Sequence, residues 1–157
     1  MGRGFDSRRE RQIYMQKILA TSVKVDNCAV LIQGKSGAGK TFLAMRLVEN
    51  HDACLISDDV TYVQVQDGVL YAETVPEIAG LVEIRGVGIV QTPHVSHVPV
   101  GCVVDLVEHS VDRYPPEQTE TIAGVQIPLF TFDTNFAYND LQVIGAINYI
   151  KQKGSTC

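Results

Sequence analysis

The feature that most constrains the fold is a glycine-rich octapeptide lying between an apolar run and an amphipathic stretch. It fits the pattern G-x-x-x-x-G-K-[ST] at every position and consists of Gly34, Lys35, Ser36, Gly37, Ala38, Gly39, Lys40 and Thr41. The apolar run at 29–33 predicts a buried strand, and the apolar residues at 42–48 predict a helix over 40–49. A phosphate-binding loop needs this strand-loop-helix context, so the sequence predicts an α/β fold that binds a nucleotide or another polyphosphate.

Each part of this loop has a physical role toward an anion. Glycines let the backbone curl closely around the ligand because they lack a Cβ. The freed N–H groups then point inward, and the helix dipole adds a positive field at the same place. Lys40 supplies a point charge for the outer phosphates, and the hydroxyl of Thr41 is placed to bind Mg²⁺.

Length and charge limit the remaining classes of function. At 157 residues, with 45% hydrophobic and 20% charged residues, the chain is predicted to form a single domain over 1–157. The net charge of −5 argues against nucleic acid or an anionic membrane as the main partner. No apolar run reaches the length of a signal peptide core or a membrane span, so a cytoplasmic protein is expected.

The cysteines point to the same compartment. None of Cys28, Cys54, Cys102 and Cys157 belongs to a C-x-x-C pair, so neither a zinc cluster nor a redox motif is predicted. The first three lie in or beside apolar runs, which predicts buried thiols in a reducing cytosol.

Hydrophobic patterning predicts a mixed sheet with few helices. Residues 1–18 are expected to form an N-terminal extension, with 1–7 frayed and a short helix over 8–20, and 139–157 to form a C-terminal helix, over 139–151, and a tail. Strands are predicted at 22–25, 29–33, 54–56, 102–107 and 125–132, together with a hairpin of 61–65 and 69–72.

Two adjacent acids, Asp58 and Asp59, follow the strand predicted at 54–56. A carboxylate there can reach a metal ion on the phosphates or the hydroxyl that accepts a phosphoryl group. Neighbouring side chains on a strand point to opposite faces, so the two acids are not expected to share one role. A turn or a helix cap is the structural alternative, because Asp is common at strand ends.

The segment 83–89 combines an acid, a base and two glycines in an apolar setting. Glu83 is a candidate metal ligand, and Arg85 is a candidate clamp for phosphate or carboxylate. A salt-bridged bend in a strand is the structural alternative for both.

Histidines and a further arginine carry weaker signals. His94 and His97 have H-x-x-H spacing, but the flanking prolines disfavour a helix, so loop histidines without a metal are expected. Arg113, next to Asp112 in a polar segment, is typical of a solvated arginine.

These strings together resemble the catalytic domain of HPr serine kinase/phosphorylase. The resemblance covers about residues 20–132 and is carried by AVLIQGKSGAGKT at 29–41, LISDD at 55–59, LVEIRGVGI at 81–89 and, less sharply, Asp112-Arg113. Enzymes of this family use ATP to phosphorylate a serine of the phosphocarrier protein HPr, and use inorganic phosphate to remove it with release of pyrophosphate. Their fold is similar to that of the ATP-dependent phosphoenolpyruvate carboxykinases, so the resemblance implies one P-loop domain with a mixed sheet.

The resemblance also implies roles for particular residues. It places Lys40 on the phosphates, and Thr41 and Glu83 on Mg²⁺, with Asp58 as a further candidate ligand. One aspartate of the 58–59 pair is implied as the base for phosphorylation and as the acid in the reverse reaction, and catalytic roles are implied for Arg85 and Arg113. The resemblance also implies a homo-oligomer, which by family analogy is a hexamer. The chain itself resembles the short form of the family, similar to those of alphaproteobacteria, in which the catalytic domain stands alone.

One departure from the family keeps other functions open. The family commonly carries a catalytic-site histidine near the position of Leu19 and Ala20, whereas no histidine precedes His51 in this chain. The first hypothesis is an ATP-dependent serine kinase acting on an HPr-type phosphocarrier, with or without the phosphorolytic reaction. The second is a non-catalytic nucleotide-sensing module that binds a partner protein, and the third is a kinase for a small molecule.

Overall fold

The computed structural model describes residues 15–157. Most of this part of the chain forms a mixed β-sheet with two helices on one of its faces. The helices are α1 (Lys40–Asn50) and α2 (Asn139–Gln152). The strands are β1 (Gln16–Ile18), β2 (Thr21–Val25), β3 (Cys28–Gln33), β4 (Cys54–Ser57), β5 (Thr61–Gln66), β6 (Val69–Glu73), β7 (Leu81–Ile84), β8 (Gly88–Gln91), β9 (Val98–Val107), β10 (Gln118–Ile122) and β11 (Val125–Asp133). A short 3₁₀ turn at Pro76–Ile78 precedes β7.

The strand order brings three strand ends to the phosphate loop. Within the described residues the main sheet runs β1-β5-β6-β9-β3-β2-β4, and β9 also pairs with β11, which pairs with β10. The pairs β3–β9 and β9–β11 are parallel, whereas β3–β2 and β2–β4 are antiparallel. As a result the ends of β3, β4 and β9 lie with the start of β2 at one edge of the sheet. The hairpin β7–β8 is a separate two-stranded sheet.

Strand β3 is buried on both of its faces, which explains its unbroken apolar sequence. Val30 and Ile32 face the helices, where they pack with Leu43 and Leu47 of α1. Leu31 faces a second core, formed with residues of β5, β6, β10 and β11. The strand that carries the phosphate loop is therefore fixed from both sides.

Most predicted elements are confirmed, and one is wrong. The helix expected over 8–20 is contradicted at Gln16–Ile18, because these residues form β1 by pairing with β5; residues 1–14 lie outside the described part of the chain. The strand predicted at 102–107 begins earlier, at Val98. Strand β10, which pairs with β11 around Ala123 and Gly124, was not predicted.

The prediction for Cys28 is also wrong. Its sulfur forms a disulfide with Cys157, at a sequence separation of 129. Gly101 of β9 leaves room for this link, since a Cβ there would lie 2.8 Å from Cys28 Cβ and 3.1 Å from Cys157 Sγ. Cys54 and Cys102 are free thiols, as predicted, but only Cys102 is buried, and Cys54 is partly exposed. Burial raises the pKa of Cys102 to about 12.

Candidate functional site

The glycine-rich octapeptide forms the loop between β3 and α1. Gly37 and Gly39 adopt positive φ angles of 83° and 97°, which side chains with a Cβ rarely adopt. A turn closes within the loop, where the N–H of Ala38 donates to the carbonyl of Lys35 at 3.0 Å. Gly39 is the N-cap of α1 and makes no side-chain cap, so the first amides of the helix are not satisfied by a capping side chain. This arrangement leaves backbone donors at the end of a helix dipole, where an anion binds favourably.

Lys40 adds a positive charge at the same place. Its Nζ donates to the carbonyl oxygen of Gly34 at 2.7 Å and to that of Lys35 at 3.2 Å. No carboxylate within residues 15–157 forms an ion pair with it. The ammonium group is thus held over the loop by neutral partners, and its charge is available to an incoming phosphate.

Asp58 lies against the loop. Its Oδ1 accepts a hydrogen bond from Thr41 Oγ1 at 2.8 Å and another from Thr21 Oγ1 at 3.1 Å, and only 7% of the residue is exposed. Antiparallel pairing of β2 with both β3 and β4 places Thr21 between the loop strand and the end of β4. Thr21 was not singled out from the sequence, because only the strand register reveals that its hydroxyl connects the two acids.

Asp59 differs from Asp58 in its exposure, its backbone conformation and its hydrogen bonds. It is exposed, its φ angle is 69°, and its backbone N–H donates to Thr21 Oγ1 at 3.0 Å. The turn that follows β4 therefore presents one carboxylate to the loop and leaves the other open to solvent. The two carboxylates thus lie in different environments, and the expectation that they do not share one role stays a prediction.

A hydroxyl and a carboxylate oxygen side by side at a phosphate loop fit the hard oxygen ligands that Mg²⁺ prefers. The two oxygens that suit the ion are Oγ1 of Thr41 and Oδ1 of Asp58, which are in contact. Within residues 15–157, no three acidic, histidine or cysteine side chains converge as a ready-made metal cage. Mg²⁺ does not need one, because it keeps several waters and takes ligands from substrate phosphates.

The hairpin β7–β8 brings Arg85 to the tip of the loop. A Cβ built on Gly37 would lie 3.8 Å from Arg85 Nη2, so the guanidinium lies beside the most exposed glycine of the loop. Val82 and Ile84 anchor the hairpin by packing into the core with α1. Glu83 is exposed on β7, and its side chain forms no hydrogen bond or ion pair within residues 15–157, so the structure does not join it to Thr41 and Asp58.

The remaining candidates lie farther along the chain. Arg113 is exposed in the segment between β9 and β10 and forms no ion pair within residues 15–157. His97 stacks on Tyr71 with a ring distance of 4.1 Å and bonds through Nδ1 to Glu73 Oε2 at 2.7 Å. His97 of the H-x-x-H pair therefore connects the loop before β9 to β6.

An open cleft of about 490 Å³ adjoins the start of the loop. Gly34 and Lys35 line one side, and residues 105–109 at the end of β9 line the other. Lys35 Nζ and Glu108 Oε2 form an exposed ion pair of 3.0 Å across it, which contributes little to stability. The cleft shows that space for a ligand continues beyond the loop itself.

Neither α1 nor α2, the helices within residues 15–157, has the length and apolar character that a membrane-spanning helix requires.

Comparison with known proteins identifies the family. The family described as HPr Serine kinase C-terminal domain matches residues 13–153. The HPr kinase/phosphorylase of Neisseria meningitidis serogroup C is 28% identical over an alignment 165 positions long, which covers 90% of this chain and 51% of the relative. That of Clostridium botulinum (strain Eklund 17B) is 35% identical over 68 residues, 43% of this chain and 22% of the relative. The chain thus spans about half the length of the Neisseria relative and less of the Clostridium one.

A solved structure supports the fold. The Hpr(Ser) kinase/phosphatase from Coxiella burnetii superposes with a TM-score of 0.78 at 23% sequence identity, covering 88% of this chain and 97% of that one. The predicted α/β fold with a mixed sheet is confirmed, and so is the resemblance drawn from the loop, the aspartate pair and the E-I-R-G string. The chain therefore belongs to the HPr serine kinase C-terminal domain family.

Proposed function

We propose that this protein is an ATP-dependent serine kinase that phosphorylates an HPr-type phosphocarrier protein in the cytoplasm. The observation that carries the proposal is the contact of Asp58 with Thr41, since it joins an acidic side chain to the phosphate loop. Family membership supplies the substrate class, because relatives that match 90% of this chain are named HPr kinase/phosphorylase. Phosphorolysis, with phosphate as the attacking group and pyrophosphate as the product, is the proposed reverse activity.

The geometry of the loop supports a role for each of its residues. The loop amides and Lys40 would hold the β- and γ-phosphates, with Lys40 exchanging its bonds to two carbonyl oxygens for bonds to phosphate. Thr41 and Asp58 would bind Mg²⁺, and Glu83 is proposed to join them if the hairpin β7–β8 moves. When bound, the ion would neutralise charge on the transferring phosphoryl group.

Transfer then requires the acceptor serine next to the γ-phosphate. Its oxygen forms a bond to phosphorus as the bond to the β-phosphate oxygen breaks, and ADP leaves. One carboxylate of the pair Asp58 and Asp59 takes the proton of the serine hydroxyl. Arg85, beside the loop tip, and Arg113 are proposed to stabilise negative charge on the phosphoryl oxygens.

A phosphoryl transfer assay tests the proposal. Wild-type protein, ATP and Mg²⁺ are incubated with an HPr-type phosphocarrier, and phosphoserine is measured by mass spectrometry, with a carrier that lacks the acceptor serine as the control. Lys40→Ala is expected to reduce transfer by roughly 10- to 100-fold, since a charge-assisted contact contributes about 1.5–3 kcal/mol. Lys17→Ala, an exposed lysine on the edge strand β1, serves as the matched control and is expected to leave transfer unchanged.

Absence of transfer from both ATP and pyrophosphate would contradict the kinase proposal. If nucleotide binding that depends on Lys40 persisted without transfer to any carrier, the sensing module would be the better account. The assembly state, for which a hexamer is predicted, is read from the same preparation by light scattering.

A further inference from the structure

Buried hydroxyl groups surround the turn that carries the aspartate pair. Thr21, Ser22, Ser57 and Thr61 are each no more than 1% exposed, and they lie at the start of β2, the end of β4 and the start of β5. A hydroxyl buried so deeply needs a hydrogen-bond partner, because an unpaired one is costly. Within residues 15–157, Thr21 is the one member of this set whose hydroxyl bonds to an aspartate.

Thr21 bonds to both members of the pair. Its Oγ1 accepts from the backbone N–H of Asp59 at 3.0 Å and donates to Asp58 Oδ1 at 3.1 Å. A hydroxyl has a single proton, and the N–H of Asp59 faces a lone pair, so that proton is directed at the carboxylate of Asp58. Thr21 therefore holds the left-handed turn at Asp59 and the neighbouring carboxylate in one arrangement.

The hydrogen bonds to the Asp58 side chain all fall on one of its two oxygens. Oδ1 accepts from Thr21 and from Thr41, whereas no donor within residues 15–157 bonds to Oδ2. In the same part of the chain every fully buried side-chain nitrogen or oxygen has a partner, so Oδ2 reaches solvent although Asp58 is buried as a residue. The two threonines thus limit the rotation of the carboxylate and leave its second oxygen open to a ligand beside the phosphate loop.

We propose that Thr21 is a positioning residue, which orients the carboxylate of Asp58 toward the Mg²⁺ ion of a nucleotide held in the loop. This inference rests on the proposed function, because it supposes that Asp58 binds the ion. Carboxylates that bind a metal are themselves hydrogen-bonded, and loss of such a partner weakens metal binding roughly 10- to 100-fold. Thr21 makes no hydrogen bond to the phosphate loop within residues 15–157, so its effect on the ion must pass through Asp58.

Calorimetric titration of the full chain with ATP, in EDTA and in excess Mg²⁺, tests the inference. The ratio of the two dissociation constants measures the effect of the ion separately from that of the loop. Thr21→Val removes the hydroxyl but keeps the branched shape, and it is expected to reduce this ratio roughly tenfold, toward the value for Asp58→Asn. ATP affinity in EDTA is expected to stay unchanged, because the loop and Lys40 are intact.

Two matched variants separate positioning from packing. Thr21→Ser keeps the hydroxyl without the methyl group and is expected to retain the wild-type ratio. Thr61→Val removes an equally buried hydroxyl, whose bonds go to Ser22 Oγ and to the carbonyl of Ala20. It is expected to lower stability as Thr21→Val does, but to leave the ratio unchanged. Urea unfolding verifies that each variant is folded, and Thr21→Ala is the second variant without the hydroxyl should the valine not be accommodated.

Double variants identify the acid through which Thr21 acts. Addition of Thr21→Val to Asp58→Asn is expected to change the ratio no further, because the carboxylate that the hydroxyl orients is already gone. In Asp59→Asn the same addition is expected to reduce the ratio as much as in wild type. The comparison uses binding alone, so it does not depend on the residual turnover of variants that lack an acid.

The outcomes separate this inference from the proposed function. A wild-type ratio in Thr21→Val, or an equal loss in Thr61→Val, would overturn the positioning role and would leave the result of the phosphocarrier transfer assay standing. A further loss on addition of Thr21→Val to Asp58→Asn would overturn it as well, because Thr21 would then act without that acid. If Mg²⁺ did not change the ATP affinity of wild type, the inference would fail, and the transfer assay would decide the kinase proposal by itself.

Discussion

The two neighbouring acids after β4 show how one peptide unit separates two chemical environments. Asp58 is buried and accepts hydrogen bonds from two threonines, whereas Asp59 is exposed in a left-handed conformation. Removing the charge of Asp58 leaves a hydroxyl of the phosphate loop facing an amide instead of a carboxylate. The same change at Asp59 disturbs no side-chain contact within the described residues.

Asp58→Asn is expected to abolish the gain in ATP affinity that Mg²⁺ provides, because an amide is a much poorer ligand for this ion than a carboxylate. Affinity measured without the metal is expected to change little. Asp59→Asn is the matched variant, and it is expected to keep the effect of Mg²⁺. Titrations with ATP in EDTA and in excess Mg²⁺ give the comparison. An unchanged effect of Mg²⁺ in Asp58→Asn would remove this residue from the metal site, and transfer rates of the two variants identify the base.

At the scale of elements, the end of α1 and the start of α2 meet at Asp140. Its Oδ1 accepts from Arg46 at 2.7 Å and its Oδ2 contacts His51 Nε2 at 2.9 Å. Burial of Asp140 raises the pKa of its carboxyl group, but the hydrogen bond to His51, the charge of Arg46 and backbone N–H groups together outweigh this, so the pKa is lowered overall. The ionised form is therefore favoured in the folded protein.

This lowered pKa predicts a dependence of stability on pH. The contribution of Asp140 is present above the unfolded pKa, about 3.9, and is lost as the pH falls through the lower folded value. Asp140→Asn is expected to reduce the free energy of unfolding by about 1–3 kcal/mol at pH 7, since hydrogen bonds to a charged group are lost. Urea titrations from pH 7 to pH 3 should show the difference from wild type shrinking in acid. A difference that stays constant over this range would contradict the argument.

The glycines offer a second test at this scale. Gly101→Ala is expected to destabilise the fold by about 1–3 kcal/mol, because the new Cβ would overlap Cys28 on β3. Gly145→Ala is the matched change on α2, where nothing lies within 4 Å of the added Cβ. It is expected to stabilise by about 0.5–1 kcal/mol, because glycine is a poor helix former. Denaturant unfolding of both variants should give shifts of opposite sign.

Elements defined by local sequence were predictable, and those defined by partners were not. The loop, α1 and the hairpin of β5 and β6 follow from motif and turn residues close together in the chain. The strand Gln16–Ile18 and the polar strand β10 acquire their form only by pairing with β5 and β11. The contact between Thr41 and Asp58 depends on the register of β2, which no local pattern reveals.

In the molecule as a whole, the disulfide between Cys28 and Cys157 joins the segment that follows α2 to β3 of the sheet. The sequence gives no sign of this pair, because the two cysteines are 129 positions apart. A structural disulfide is uncommon in a reducing cytoplasm. The predicted location is therefore testable by measuring the redox state of these two thiols in rapidly acid-quenched cells, where a cytoplasmic protein is expected to carry them reduced.

Cys157→Ser is expected to lower the free energy of unfolding by about 2–4 kcal/mol under oxidising conditions, because a link that closes a long loop restricts the unfolded chain. Treatment of wild-type protein with dithiothreitol should produce the same loss, and the variant should then show no further change. Cys54→Ser alters a half-buried free thiol and serves as the control. Equal stability of oxidised and reduced wild type would contradict this prediction.

The same link turns most of the chain into a covalent ring, since everything from β3 to the last residue lies between the two joined sulfurs. A protease that cuts one exposed loop, such as the segment 108–117 that carries Arg113, opens the ring without releasing a fragment. A nicked molecule then keeps both pieces and the phosphate loop attached to each other. It separates into two bands on a denaturing gel only after reductant is added.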